Sequence, residues 1–324
     1  MHTGKITELY PRASIASEEL DRTRQHIRSH ADYLSADHMI ELYRQLDLSV
    51  VPDPYDRKIT GLIVRALRDG KPLSVIRLGD GEFNILSFGQ FDTPQLDRYC
   101  FAALIEIQED AFLPTDAWMV GVREMMLSAV LQADIVGVLG LWRPWRMDVE
   151  TYLDYFDRDP RGITGQWRGL DYALRLARSR VFAGKILASA HLYLGVLHHF
   201  KEIVAQAPRI LLLTNKSDIL DMMRRSFPGK TIELLPVGET RNSPEPLPDS
   251  PKFLAKVAAD MPQGLCGYCC LVGAGPWAEI YCAWIKQRGG VAVDIGSAFD
   301  LLAGQAIRPI HKLLGLEKDN PYRL

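Results

Sequence analysis

From residue 55 onward, short apolar runs alternate with amphipathic stretches. The runs that predict β-strands are 73–78, 134–139, 185–189, 209–214, 231–236, 268–273 and 291–295. Between several of them apolar residues recur at helical spacing, as in 217–227 and 277–288. Because strands that are buried on both faces have few polar positions, this alternation predicts an α/β fold, a mainly parallel Rossmann-like sheet with helices on both faces.

A different pattern precedes the predicted sheet. Residues 16–47 are rich in helix-forming residues with helix-spaced apolar positions, interrupted near 35–37, where a second helix could be capped. Pro52 and Pro54 then break the pattern, because proline lacks the backbone donor and restricts the residue before it. We therefore predict an N-terminal helical extension over 1–54, a Rossmann-like domain over 55–312 and a C-terminal tail over 313–324.

Composition narrows the classes of partner. The 324 residues are 47% hydrophobic, and 38 Lys and Arg stand against 40 Asp and Glu, for a net charge of -2. This balance gives no basic field that would bind nucleic acid. No apolar run approaches the roughly 20 residues that a membrane span needs, and the N-terminus lacks the apolar core of a signal peptide. We expect a soluble, cytoplasmic protein without a transmembrane segment, of open oligomeric state.

Polar and glycine residues follow five of the predicted strands. Because the carboxyl ends of parallel strands share one edge, where ligands bind, these segments should meet there. The first strand contains Arg77 and is followed by Gly79, Asp80, Gly81 and Glu82. The candidates after the other strands are Asn215 and Lys216, Glu239 and Arg241, the loop of Gly273, Ala274, Gly275 and Pro276, and finally Asp294 and Ser297.

Asp80 and Glu82 form a candidate metal site. In an extended segment, two carboxylates one residue apart project the same way. Mg²⁺ and Mn²⁺ bind one or two carboxylates together with substrate phosphate oxygens. Gly79 and Gly81 would let the backbone approach the ligand closely. Asp-Gly is also common in turns that end strands, so the tripeptide by itself favours an ordinary turn, and Arg77 could simply pair with a carboxylate.

The segment from Gly273 to Ala278 supports an alternative. It follows a predicted strand, opens a predicted helix and has the pattern G-x-G-x-x-A, with Asp294 at the end of the next strand. Dinucleotide-binding folds hold a pyrophosphate and a ribose with this arrangement. Against it, the motif lies in the last quarter of the chain, too late for the usual further strands. An enzyme that depends on NAD or S-adenosylmethionine is therefore the alternative.

Two segments, SVIRLGDGEF and LVGAGPWAEIYCAWIKQRGGVAVDIGSAFDLLAG, resemble bacterial glycosyltransferases of the GT-D fold. The resemblance implies a GT-D-type domain that uses a nucleotide-sugar donor. It further implies that Asp80 and Glu82 are a DXE motif binding a divalent cation, Mn²⁺ or Mg²⁺, which holds the donor's diphosphate. Arg77 and Gly79 belong to the same motif. The helical extension before residue 55 and residues 142–180 match no part of the family that we can place, and acceptor recognition is expected in these segments.

The resulting hypothesis is a metal-dependent hexosyltransferase that moves a sugar from a nucleotide-sugar donor, a UDP-sugar, to a hydroxyl group of a glycan, glycoprotein or other acceptor. Asp80, Glu82 and Arg77 would carry the chemistry, and the glycine loops would position the diphosphate. An inverting enzyme would also need a general base, for which Glu239, Asp300 and His191 are unranked candidates. A noncatalytic sugar-nucleotide-binding protein is the second alternative.

Overall fold

The computed structural model describes residues 11–31, 57–108, 115–138, 148–237 and 250–324. Its strands are β1 (Leu73–Leu78), β2 (Ile135–Val138), β3 (Ile186–Ser189), β4 (Arg209–Thr214), β5 (Thr231–Leu235), β6 (Tyr268–Gly273) and β7 (Val291–Asp294). They form one sheet of order β3-β2-β1-β7-β6-β4-β5, in which all neighbours are parallel. The predicted fold class is confirmed, and each predicted strand lies within one residue of its expected ends.

Helices connect the strands. Over the described ranges they are α1 (Ser17–Ser29), α2 (Arg57–Asp69), α3 (Asp80–Leu86), α4 (Pro94–Gln108), α5 (Asp116–Gln132), α6 (Val149–Arg158), α7 (Pro160–Arg178), α8 (Tyr193–His198), α9 (Phe200–Gln206), α10 (Ser217–Ser226), α11 (Ser250–Asp260), α12 (Ala278–Gln287), α13 (Ala298–Leu302) and α14 (Pro309–Leu313). Short 3-10 turns cover Arg12–Ser14 and Gly275–Trp277. The two helical patterns read from the sequence correspond to α10 and α12. Within these ranges no helix is long and apolar enough to cross a membrane.

The sheet has a hydrophobic core on each face. Ile76 and Leu78 of β1 pack into one core with α3, α5 and α12, whereas Val75 packs into the other with α2, α8 and α9. Successive strand residues point to opposite faces, so β1 contributes to both cores in turn. This explains why its sequence is almost entirely apolar and why Arg77 stands out within it.

The N-terminal helix α1 docks on the outside of this domain. Ile27 lies in a third apolar cluster with residues of α4, α6 and α7. Buried Glu19 accepts hydrogen bonds from the backbone N–H groups of Gln95 and Leu96, at distances of 3.0 and 2.9 Å, in the first turn of α4. The carboxylate satisfies donors that a helix N-terminus leaves without partners. The second predicted helix, after residues 35–37, lies outside the described residues, and the domain boundaries stay predictions.

The strand order places β1 beside β7 near the middle of the sheet. The chain runs outward from β1 through β2 to β3, crosses to β4 and β5 on the other side, and returns through β6 to β7. Helix α3, which follows β1, packs in the core on one face of the sheet, whereas α13, which follows β7, packs in the core on the other face. The segments that leave these two strands therefore diverge, and ligands of open α/β sheets bind at the carboxyl edge where such segments diverge. The predicted site residues on β1, β6 and β7 lie at this edge.

Helix α7 lies within residues 142–180, which the resemblance did not match, and it packs closely on α3. A Cβ atom on Gly165 would lie 2.1 Å from the carbonyl oxygen of Asp80, and one on Gly169 would lie 2.5 Å from the ring of Phe83. Asn84 Nδ2 also donates to the carbonyl oxygen of Arg161 at 3.0 Å. Only glycine permits this approach, so α7 forms a wall directly beside Asp80.

The α3–α7 contact predicts the effect of adding one methyl group. We expect G165A to lower the free energy of unfolding by about 1–3 kcal/mol, because overpacking a tight contact costs about that much. Urea denaturation followed by circular dichroism measures the difference. The matched control is G121A in α5, where nothing lies within 4 Å of an added Cβ. Alanine there should stabilise the helix by up to about 1 kcal/mol. Equal stabilities for G165A and G121A would contradict the close contact.

Candidate active site

The carboxyl edge of the sheet brings most of the predicted residues onto four neighbouring strands, β1, β7, β6 and β4. Arg77 lies in β1, Gly79 precedes α3, and Asp80, Gly81 and Glu82 form its first turn. The other described candidates lie between β4 and α10 (Asn215, Lys216), at the end of β6 and just after it (Gly273, Ala274, Gly275, Pro276), and at the end of β7 and just after it (Asp294, Ser297). Glu239 and Arg241 fall outside the described residues, so their predicted role stays a prediction.

Arg77 and Asp294 form a two-pronged ion pair at the centre of this edge. Nε of Arg77 donates to Oδ2 of Asp294 at 2.8 Å, and Nη2 donates to Oδ1 at 3.1 Å. Nη1 donates to the carbonyl oxygen of Ala190 at 3.2 Å, and the guanidinium lies 5.1 Å from the ring centroid of Tyr193. A Cβ atom on Gly296 would lie 2.0 Å from Nη2, so Gly296 makes room for the guanidinium.

The pair remains ionised despite its burial. Burial disfavours the charged guanidinium, but the charge and hydrogen bonds of Asp294 outweigh it and raise the pKa of Arg77. Burial likewise raises the pKa of Asp294 above its ordinary value, although Arg77 opposes that shift through charge and hydrogen bonds. A bidentate arginine–carboxylate pair is both strong and directional. Arg77 is therefore a fixed cation, and its side chain keeps 19% of its surface exposed.

Asp80 and Glu82 do not have the geometry expected from the sequence. The prediction assumed an extended segment, but α3 begins at Asp80, and helical residues two positions apart point about 200° apart. Oε2 of Glu82 turns back and accepts a hydrogen bond from the backbone N–H of Gly79 at 2.7 Å. Asp80 is exposed and faces Gly162 of α7. The premise that both carboxylates project the same way is wrong, because both residues lie in the first turn of a helix rather than in an extended segment.

Glu82 is the more perturbed of the two acids. Its pKa is raised to about 7, mainly by burial and then by the charges of Asp80 and Asp294, while a backbone hydrogen bond and Arg77 oppose the rise. By exposed surface the side chain is half-buried, so it lies at the boundary between the crevice and the core. A carboxyl group with this pKa is partly protonated near neutral pH. Such perturbation is typical of functional sites.

The donor set limits which metal could bind. Within the described ranges no group of three or more His, Cys, Asp or Glu side chains could hold a metal ion. A cage built wholly of these side chains therefore does not fit this part of the chain. Mg²⁺ and Mn²⁺ need only one or two carboxylates when phosphate oxygens and water complete the shell. Exposed Asp80 fits that requirement, and Glu82 could join it by releasing the N–H group of Gly79.

The glycine loop after β6 is mostly filled by the protein itself. A Cβ atom on Gly273 would lie 2.4 Å from the ring of Phe299, so this glycine serves packing. Pro276 is buried, whereas Gly275 is exposed with φ of +54°. Asp294, the acid that a dinucleotide fold would offer to a ribose, is 1% exposed and bound to Arg77. The premise of the dinucleotide alternative is therefore removed.

A second ion pair lies further along the edge. Nζ of Lys216 is 2.5 Å from Oδ1 of Asp300, whose side chain is 6% exposed. This contact engages one of the three candidate general bases. Ser297 hydrogen-bonds the hydroxyl of Tyr193, which in turn contacts buried His311 at 3.0 Å. Half-buried His191, a second candidate base, lies with its ring centroid 6.1 Å from that of Tyr193.

Two residues of the site escaped the sequence reasoning. Glu279 lies in the first turn of α12, fully buried, where burial and the charges of Glu82 and Asp294 raise its pKa. The signal that could have found it is a lone acid within the apolar run AEIYCAWI. Tyr193 stacks on Arg77 from α8. No local pattern marks it, because a tyrosine at the start of an apolar helix is ordinary.

Part of the chain matches a known family model. Residues 55–168 match the family model of the GT-D-like group, described as a GT-D fold-like domain. The matched segment contains Arg77, Asp80 and Glu82 together with much of the α7 wall. The resemblance to GT-D fold glycosyltransferases is thereby confirmed, and the fold is glycosyltransferase-like.

Two solved structures are also similar to the chain. One is described as "The highly conserved domain of unknown function 1792 has a distinct glycosyltransferase fold", and the other as "Selenomethionine substituted structure of domain of unknown function 1792". Each is 12% identical, and the similarity covers 76% of this chain and 82% of the other, with TM-scores of 0.41 and 0.40. No curated protein matches the sequence.

The ion pair predicts a large effect of neutralising Asp294. We expect D294N to lower the free energy of unfolding by about 3–5 kcal/mol, because it leaves the buried charge of Arg77 without its counter-ion. The control is E150Q, which removes an exposed partner that lies 3.3 Å from Arg28. Exposed pairs contribute about 0–1 kcal/mol. Denaturant titration of both variants measures the two losses in the free energy of unfolding. Equal losses for D294N and E150Q would refute a central role for the pair.

Proposed function

We propose, from the GT-D-like domain at residues 55–168, that this protein is a metal-dependent glycosyltransferase. It would transfer a hexose from a nucleotide-sugar donor, a UDP-sugar, to a hydroxyl group of a glycan, glycoprotein or other acceptor. The observation that carries the proposal is the fixed cation Arg77 at the carboxyl edge of the sheet, where the segments that follow β1 and β7 leave toward opposite faces. A glycosyl donor loses an anionic diphosphate, and a preformed cation at that position favours its departure.

Arg77 has capacity for a ligand beyond its protein partners. A guanidinium carries five N–H groups. Among the described residues three of them are used, two by Asp294 and one by Ala190. The two that remain belong to the Nη atoms, close to Gly296. We infer that they donate to diphosphate oxygens, with the backbone of exposed Gly275 and the ammonium group of Lys216 as further contacts.

The proposed metal would be held by Asp80, with Glu82 as a second ligand. When bound, Mg²⁺ or Mn²⁺ supplies a positive charge that neutralises the diphosphate as it leaves. Asp80 lies in the first turn of α3, where its carboxylate is also stabilised by the helix dipole. Glu82 accepts a hydrogen bond from the backbone N–H of Gly79. To become the second ligand it would release that N–H group and turn toward the metal.

The acceptor side is assigned to the wall formed by α6 and α7. Gly162 lies next to the carboxylate of Asp80, and Tyr152 is buried close enough for that charge to raise the pKa of its hydroxyl, after the larger effect of burial. An acceptor sugar entering between this wall and the carboxyl edge would reach the donor from the side opposite β7. Of the three general-base candidates, Asp300 is paired with Lys216. His191 and Glu239 therefore stay as the candidates.

A ligand screen tests the donor class. Thermal unfolding of the full chain would be followed with UDP-, GDP-, ADP- and dTDP-sugars, each with Mn²⁺ and with EDTA, and with NAD and S-adenosylmethionine as comparators. We expect one UDP-sugar to raise the Tm in Mn²⁺ and to have little effect in EDTA. A Tm shift with NAD or S-adenosylmethionine that EDTA leaves unchanged would overturn the proposal in favour of the dinucleotide alternative.

The metal-binding role of Asp80 makes a sharper prediction. We expect D80N to lower the rate of sugar transfer at least about 100-fold, because losing several kcal/mol of metal-assisted stabilisation corresponds to that factor. Asp80 is exposed, so the circular dichroism spectrum should be unchanged. D319N, an equally exposed site near the C-terminus, is the control. Full activity of D80N would reject the assignment, whereas donor binding without turnover in the wild type would indicate a noncatalytic binder.

A further inference from the structure

Glu279 is a buried acid for which neither the fold nor the proposed chemistry gives a role. It lies in the first turn of α12 with 0% of its surface exposed, between Ala278 and Ile280, which are also buried. An isolated carboxyl group in apolar surroundings costs several kcal/mol unless it is neutral or well paired. Helix α12 is otherwise a packing element, so a leucine or methionine would serve the core better. The presence of Glu279 therefore requires a polar partner.

Asp294 is that partner, and the hydrogen bonds around it identify which group carries the proton. No donor among the described residues reaches either oxygen of Glu279, and α12 packs directly on β7, which ends in Asp294. The carboxyl group of Glu279 lies within hydrogen-bonding range of Asp294 and opposes the rise in the pKa of that acid. Two carboxyl groups bond only when one of them is protonated. Asp294 already accepts two N–H groups of Arg77, so it is the anion. Glu279 is therefore the carboxylic acid and donates its O–H.

We propose that Glu279 is a positioning residue, whose buried O–H group donates to Asp294 and so holds the Asp294–Arg77 pair in place at the carboxyl edge. Arg77 reaches this edge from the face of the sheet that it shares with Val75, and Asp294 from the opposite face, which it shares with Ala292. Glu279 comes from α12, on the face of Asp294. Glu279 thus holds the Asp294 end of the ion pair. Without it, only the Arg77 end would be constrained.

The surrounding charges keep Glu279 neutral. Burial raises its pKa well above the ordinary value, the negative charges of Glu82 and Asp294 raise it further, and Arg77 opposes them. Three carboxyl groups around one guanidinium cannot all be ionised at low dielectric. The deepest of them retains the proton, as in other buried acid pairs that share one. Glu279 can thus donate a hydrogen bond at neutral pH, which an ionised glutamate cannot.

A double-mutant cycle tests the Glu279–Asp294 bond without any ligand. E279M removes the donor, and E279Q keeps one in its amide group. In the wild-type background and in the D294N background, E279M changes the unfolding equilibrium constant by a certain factor. We expect the factor to be at least about tenfold larger in the wild-type background, because a hydrogen bond to a charged group contributes about that much. For E279Q, the difference between the two backgrounds should be less than half of that for E279M on a logarithmic scale. Equal factors for E279M in both backgrounds would overturn the proposal.

A binding measurement tests whether the position of Arg77 depends on Glu279; this arm rests on the proposed function. The probe is UDP with Mn²⁺, titrated calorimetrically at a temperature where every variant is folded. We expect E279M to raise the Kd at least about tenfold and E279Q to restore it to within about threefold of the wild type. Equal affinities for E279M and the wild type would overturn the positioning role.

The double-mutant cycle and the binding measurement test separate claims. If wild-type protein does not bind UDP, the proposed donor class fails, and the cycle still decides whether Glu279 holds Asp294. The control for general effects of removing a glutamate is E317Q, at an exposed position near the C-terminus. It should leave both the unfolding constant and the Kd unchanged, and a change equal to that of E279M would count against a specific contact.

Discussion

The ion pair between Arg77 and Asp294 is the interaction on which the carboxyl edge depends. It joins two adjacent strands, β1 and β7, at the carboxyl edge of the sheet, and it links one face of the sheet to the other. A buried pair of this kind adds little net stability, because desolvation offsets much of the attraction. What it supplies is geometry: Gly296, Tyr193 and Glu82 are arranged around it. Removing one partner would therefore disturb the crevice more than the core.

The electrostatic arrangement around Arg77 suits an anionic ligand. Glu82, Asp294 and Glu279 surround one guanidinium, and burial raises the pKa of each acid. Protonation reduces the local negative charge, while Arg77 remains a cation with two N–H groups to donate. A site arranged before the ligand arrives spends no energy on reorganisation when charge develops. The same arrangement explains why a fully buried glutamate can persist in an apolar helix.

The glycines illustrate how local sequence can mislead. Gly273 was interpreted as a place for a phosphate, yet the ring of Phe299 fills the space beside it. Gly165 and Gly169, which had no interpretation, allow α7 to lie against α3 and form the wall beside Asp80. A glycine shows that something approaches the backbone closely. Whether that neighbour is a ligand or another part of the chain depends on contacts between distant segments.

The sequence by itself determined the seven strands, their parallel arrangement as buried strands and the edge at which polar residues collect. It could do so because the alternation of apolar runs with helix-spaced apolar positions is a local property. It also located Arg77, Asp80 and Glu82 through motif and resemblance. Only the tertiary structure decided that Asp80 and Glu82 diverge on a helix, and that Arg77 binds Asp294, 217 residues away. It alone brought Glu279 to the same point. Such pairings arise from how strands and helices pack, and no local pattern encodes them.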